Sequence, residues 1–291
     1  MLKDWFLAAR PKTLFVSMGP VLVGASFAYY YDRFEWIPSL ICLFFALLAQ
    51  ITSNFINDYA DFKKGADRDD RVGPERAVAT GAISAKSMLR ATIMTISAAL
   101  LLGLSLVCYG GPWMILVGAL VAVFAFAYSC GPYPLSYHGL GDLAVLVFYG
   151  VVPVTFTYYV QGHDFPVPVI LASIAVGLAG VNLLIVNNYR DMEADRISNK
   201  RTTVVRFGRK TMRFIYLLNC MIAYNIGYAI TEYTAQIWLF VSLPFIVIGI
   251  RQWLLLEHTK GKALNKVLGL TAFNVFVFSL ALCISLILMK H

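Results

Sequence analysis

Two short stretches of this 291-residue chain concentrate the side chains that can do chemistry. The first is Asn54-Phe55-Ile56-Asn57-Asp58-Tyr59-Ala60-Asp61. The second is Asn187-Asn188-Tyr189-Arg190-Asp191-Met192-Glu193-Ala194-Asp195. Asn54, Asp58 and Asp61 stand at i, i+4 and i+7, with Asn57 four residues before Asp61; Asn187, Asp191 and Asp195 stand at i, i+4 and i+8. On an α-helix such spacings bring the side chains to about one face. Carboxylate and amide oxygens are hard donors suited to Mg2+, with phosphate completing the coordination. Two such faces opposed would gather several negative charges, which is unfavourable without cations. The arrangement makes sense when Mg2+ bridges the carboxylates to a diphosphate. Histidine and cysteine do not cluster here, so zinc is not expected.

Cations lie beside both stretches. Arg10, Lys12, Arg71, Arg76 and Arg201 are close in sequence to other unusual residues, and arginine can bind a diphosphate bidentately. Any single acid or base near a helix end is most simply a solvated charge. Two Asn/Asp sets at helical spacing, each entered from a charge-free segment, favour a ligand site, because ionisable groups at membrane depth are functional by default.

The elements that must position these groups follow from the scarcity of charge. Hydrophobic residues make up 59% of the chain, charged residues only 14%, and mean hydropathy is +0.70. A soluble domain carries about 25% charged residues, so a water-soluble globule is excluded. Thr13–Tyr31, Trp36–Asn57, Ala91–Gly141, Leu143–His163, Phe165–Tyr189, Phe214–Thr231, Tyr233–Ile250 and Val267–Met289 contain no Asp, Glu, Lys or Arg. About 20 apolar residues span a bilayer as a helix, and Gly110-Gly111-Pro112 divides the longest stretch in two. The expectation is an all-α, single-domain membrane protein over residues 1–291, with nine transmembrane helices. Counting from an inside N-terminus puts 22 of the 24 Lys and Arg on one side, which predicts N-in, C-out in the cytoplasmic (inner) membrane. Topology accounts for the net charge of +8, so the lipid bilayer is a partner and nucleic acid is not. No cleavable signal peptide is expected. The five cysteines stand singly and read as small apolar residues.

The two acidic stretches end the second and sixth predicted spans, four spans apart, and this echo points to a pseudo-symmetric bundle in which both face one cavity. Polar groups concentrate at the inside ends of those spans, with the long connections Asp58–Arg90 and Arg190–Arg213.

The pair NDYADFKKGAD (Asn57–Asp67) and NNYRDMEAD (Asn187–Asp195) resembles the two aspartate-rich motifs of the UbiA superfamily of intramembrane prenyltransferases. Nine spans fit that family, and the resemblance covers nearly the whole chain. ARPKTL (Ala9–Leu14), RVGPERAVATGAIS (Arg71–Ser84), GPYPLSYHGLGD (Gly131–Asp142) and KRTTVVRFG (Lys200–Gly208) look like its 1,4-dihydroxy-2-naphthoate branch in menaquinone synthesis. The resemblance implies Mg2+-dependent transfer of a polyprenyl group from its diphosphate to that aromatic acceptor, with loss of diphosphate and carbon dioxide. It gives Asn57, Asp61, Asn187, Asp191 and Asp195 as metal-binding. Many relatives carry a further Asp four residues after the position of Asp61. Here that residue is Gly65, as it often is in the naphthoate branch, and the next acid is Asp67.

Such a reaction builds charge on the departing diphosphate, and Mg2+, Arg and Lys stabilise it. A dry pocket protects an allylic cation from water. Aromatic faces can stabilise that cation; Tyr59, Tyr128, Tyr133, Tyr137 and Tyr189 are the candidates, although packing is the commoner use of any one. His138 and Asp142 are candidates to orient or deprotonate the naphthol, and Asn54 and Asp58 complete the substrate-facing set. Rival readings are another acceptor, 4-hydroxybenzoate or homogentisate; a secondary transporter of an anionic metabolite; and a metal-binding structural subunit. Concentration of polar groups at one side favours an enzyme over alternating access.

Overall fold

The computed structural model describes residues 2–63, 73, 76–129, 133–231 and 235–291, and among them every regular element is helical. A short helix α1 (Leu2–Ala8) lies ahead of α2 (Pro11–Tyr30) and α3 (Trp36–Lys63). Then come α4 (Ala85–Ser105), α5 (Val107–Gly110), α6 (Met114–Ser129), α7 (Gly141–Leu146) and α8 (Val152–Gly162). The chain closes with α9 (Val167–Ile197), α10 (Thr203–Ile230), α11 (Ala235–Val241), α12 (Leu243–His258) and α13 (Leu264–Lys290).

Among the described residues, six stretches are long and apolar enough to cross a membrane: Pro11–Tyr30, Trp36–Ala60, Ala85–Gly110, Gly141–Gly162, Val167–Ile197 and Gly261–Lys290. Three of the nine expected spans differ in kind. α6 has only 16 residues. α10 begins with Arg206, Arg209, Lys210 and Arg213 and is kinked at Gly208, where φ is 80°. The eighth is broken at Ser242 into helices of 7 and 16 residues.

Helix α9 is the axis of the bundle. It packs most extensively against α10, and also against α13, α7 and α8. Its buried side is a run of small residues, Ala172, Ser173, Ala175, Gly177, Ala179 and Gly180, that lets neighbours come close. The closest approach is to Gly150, which lies in a π-helical turn, Val147–Val151, between α7 and α8. A Cβ built on Gly150 would collide with the Gly177 backbone and stand 2.5 Å from the Ser173 carbonyl oxygen. A Cβ built on Gly24 of α2 would likewise stand 2.5 Å from the Val154 carbonyl oxygen of α8. The Gly150–Gly177 approach sets how closely α9 meets its neighbour, and with it the side chains at its polar end.

Four cysteines, Cys42, Cys108, Cys220 and Cys283, are free thiols, and Cys130 lies outside the described residues. Three of the four are buried, in keeping with a packing role.

Candidate active site

Both acidic stretches are helical to their ends. α3 runs on through Asp61 to Lys63 and α9 through Asp195 to Ile197, so the condition for a common face is met in each.

In the first stretch, Asn54 and Asp58 hold other segments in place. Asn54 is 3% exposed, and its amide donates to the Ala9 carbonyl at 2.9 Å and to the Thr13 hydroxyl at 3.1 Å. These two residues flank the turn between α1 and α2, where Arg10 takes a left-handed backbone (φ 52°). A non-glycine residue there is strained by about 1 kcal/mol or more, and the clamp on both sides offsets it. Asp58 is 2% exposed, and its two oxygens accept from the Ala77 amide at 3.1 Å and the Val78 amide at 3.2 Å. That bond brings the buried Arg76 next to the first stretch. Both residues belonged to the expected substrate-facing set. In the structure they position the segments that carry Arg10, Lys12 and Arg76. Gln50 and Tyr149 extend the network: Tyr149 donates to Gln50 Oε1 at 2.8 Å, and Gln50 to Asn54 at 3.4 Å. Asn57 is half-buried on the same helix. The Asp61 side chain, Asp67 and Arg71 lie outside the described residues.

In the second stretch the acids are bound to cations. Arg190 Nε donates to Asp191 Oδ1 at 2.7 Å and Nη2 to Oδ2 at 2.5 Å, while Nη2 also donates to Asn187 Oδ1 at 2.9 Å. Its Nη1 reaches Asn265 Oδ1, at the start of α13, at 2.8 Å. Asp195 Oδ1 lies 3.3 Å from Lys200 Nζ, and its Oδ2 is buried with no hydrogen-bond partner. The sequence sets Arg190 and Lys200 beside the second stretch, but the cations expected to meet the diphosphate are Arg10, Lys12, Arg71, Arg76 and Arg201, and Asn188 is not among the expected site residues.

Beside Asp195 a small recess is lined by Tyr128, Ser136, Asp142, Asn188, Lys200 and Thr203. Arg201 is exposed and ties the two walls of this region together, its amide donating to the Tyr137 carbonyl at 2.9 Å. His138 is bonded to the Pro134 carbonyl at 2.9 Å and stacks on the exposed Tyr133 ring, with centroids 3.5 Å apart. Tyr128 and Asp142 are thus brought to one recess, whereas Tyr133 and His138 form a surface stack. Tyr59 packs with Phe55, Val78 and Met88 beneath α1. Tyr189 is buried in the main core with Arg209 over its ring at 5.3 Å. Both rings are committed to packing. Lys12 is exposed, with its stem near Gly269.

Among the described residues no three His, Cys, Asp or Glu side chains form a metal cage. The donor set is hard oxygen from one carboxylate pair and neighbouring amides, and it already attracts Arg190 and Lys200. Such a set suits Mg2+, which keeps part of its shell for substrate phosphate.

Residues 17–286 match the UbiA prenyltransferase family. The chain belongs to that family. As a UbiA member it is 35% identical over 256 residues to 1,4-dihydroxy-2-naphthoate octaprenyltransferase of Escherichia coli, covering 84% of this chain and 82% of that protein. The like-named enzyme of Haemophilus influenzae is also 35% identical, over 81% and 80% of the two chains. That of Bacillus subtilis is 29% identical over 95% and 91%. The fold is that of solved UbiA homologues. One from Aeropyrum pernix superposes with a TM-score of 0.70 at 15% identity, over 94% of this chain and 98% of that one. One from Archaeoglobus fulgidus, bound to DMAPP and Mg2+, gives 0.65 at 15% identity over 96% and 99%.

Proposed function

We propose that this UbiA-family enzyme transfers a polyprenyl group from its diphosphate to 1,4-dihydroxy-2-naphthoate, releasing diphosphate and carbon dioxide. The observation that carries the reading is that both Asn/Asp helix ends are paired with cations: the first through segments bearing Arg10 and Arg76 that Asn54 and Asp58 hold against it, the second through Arg190 on the helix itself. The naphthoate acceptor is supported by the E. coli and H. influenzae relatives, each aligned over four-fifths of its length. Asn57, Asp61, Asn187, Asp191 and Asp195 would hold Mg2+, which would neutralise the diphosphate and favour ionisation of the allylic C–O bond. The homologues bound to DMAPP or GPP with Mg2+ support that choice of cation.

The chain's own groups do the rest. Arg10 and Arg76, placed by Asn54 and Asp58, face the leaving group as charge grows on it. Apolar walls keep water from the allylic carbon while the electron-rich naphthol ring forms the new C–C bond. Asp142, in the recess with Tyr128 and Asn188, lies where a phenolic proton can be held. The site opens to the cytoplasm at the inner-membrane surface of a single nine-span, N-in domain; the segregation of 22 of 24 basic residues to one side supports that orientation.

The test is to supply the purified protein with Mg2+, a polyprenyl diphosphate and a panel of aromatic acceptors, and to identify the products. Prenylated naphthoquinol with release of carbon dioxide is the expected outcome. Prenylation of 4-hydroxybenzoate in its place would overturn the acceptor.

A further inference from the structure

Arg190 occupies an unusual position for a residue of its type. It follows the charge-free part of α9, yet its side chain is only 5% exposed. It also precedes Asp191 directly, and neighbours in a helix stand about 100° apart and do not face each other. The side chain must therefore bend around its own helix to grip both Asp191 oxygens, at 2.7 and 2.5 Å. The same fork takes Asn187 at 2.9 Å and Asn265 at 2.8 Å, so four donor–acceptor pairs fix one guanidinium. Every acceptor that it takes on α9 is an oxygen of the second acidic stretch.

The fork already uses both Asp191 oxygens and the Asn187 oxygen. Mg2+ draws on the same hard oxygens, in near-octahedral array at about 2.0–2.1 Å. A carboxylate has lone pairs for both groups, but two cations held on one set of oxygens repel each other. Guanidinium and metal therefore compete for this set.

We propose that Arg190 is the built-in counter-ion of the second acidic stretch: it holds Asn187 and Asp191 neutralised and oriented until a divalent cation takes them, and the released guanidinium then pairs with the diphosphate that arrives with the metal. The inference rests on the reading that Asn187 and Asp191 bind metal. It makes metal and diphosphate cooperative. Metal alone must displace a cation with no new partner for it, whereas metal with diphosphate supplies that partner. Arg190 is in this sense a positioning residue, and the Asn265 contact marks the direction from which it is drawn back.

Titration of Mn2+ by electron paramagnetic resonance, with and without inorganic pyrophosphate, separates this from a structural role. Arg190→Gln is expected to bind Mn2+ alone about tenfold tighter than the unaltered chain, the worth of one charge-assisted hydrogen-bonded pair. The factor by which pyrophosphate tightens Mn2+ binding is expected to fall by a similar amount. Arg190→Lys, which keeps the charge and loses the fork, should show a smaller gain; it also serves where Arg190→Gln gives no folded protein. A merely structural arginine would act in the opposite sense, since its loss would loosen Asp191 and weaken Mn2+. Unchanged or weaker Mn2+ binding in both variants, with normal binding by the unaltered chain, overturns the role of Arg190 and leaves the metal reading standing. Absence of bound Mn2+ in the unaltered chain, even with pyrophosphate, overturns both.

Discussion

Asp58 Oδ1 and the amide nitrogen of Val78 stand 3.2 Å apart, although twenty residues separate them in the chain. With the Ala77 amide on its other oxygen, this carboxylate closes the connection that carries Arg76 onto α3. An acid that reads in the sequence as substrate-facing has both oxygens engaged in holding this connection in place.

Replacing Asp58 by Ala leaves two buried amides without acceptors, and hydrogen bonds to a charged group are worth about 1.5–3 kcal/mol each. A loss of about 3 kcal/mol in stability is expected in thermal unfolding in detergent. The KM for the prenyl diphosphate should rise more than kcat falls, because Arg76 loses its support. Unchanged KM with the full stability loss would show that Arg76 does not meet the diphosphate.

Asn54→Ala should act on the other cationic segment. It removes the donors to Ala9 and Thr13 that clamp the left-handed turn at Arg10. We expect about 1–2 kcal/mol of destabilisation, together with faster proteolysis before α2 in limited digestion.

Much of this was legible in the sequence. Charge-free runs marked the helices, and the i, i+4 spacing marked the faces, because both signals are local. Periodicity names a face but not its partner, so the 45-residue reach from Asn54 to Ala9 and the 20-residue reach from Asp58 to Val78 could not be read from it. Charge also misled at the helix ends: α3 and α9 continue through their acids to Lys63 and Ile197, where the absence of charge had stopped. Adjacency sets Arg190 beside Asp191 in the sequence, but their bond could not be read from it, because adjacent residues in a helix do not usually meet. Its bond to Asp191 depends on a rotamer fixed by Asn265 on α13.

Removal of metal is expected to silence transfer. EDTA should abolish diphosphate release, and added Mg2+ should restore it. Asp191→Ala and Asp195→Ala should each reduce kcat/KM by about two orders of magnitude or more, as for loss of groups that stabilise charge in the transition state. Activity that persists in EDTA, or in either variant, would refute the metal bridge.

A pH effect is expected at the contact between α10 and α12. Arg213, which also lies over the Trp253 ring at 4.6 Å, bonds to Glu257 at 2.7 Å and holds its carboxyl below the usual value of 4.5. A carboxylate whose pKa is lowered on folding contributes stability above its unfolded pKa and loses it as pH falls through the folded one. The difference in melting temperature between the unaltered chain and Glu257→Gln should thus be constant at neutral pH and shrink only below about pH 4.5. A difference that shrinks on raising the pH would contradict this pairing.

The contact between Gly150 and Gly177 gives the bundle a fulcrum. Asp191 lies fourteen residues beyond Gly177 on α9, about 21 Å at 1.5 Å per residue. A tilt of about 5° at that crossing would sweep the carboxylate through nearly 2 Å, by the same helix geometry. A misplacement of about 1 Å can cost a hundredfold in rate. One methyl group added at Gly150, deep among the apolar helices, should therefore be felt as lost catalysis at the far end of the lever, well before the fold itself gives way.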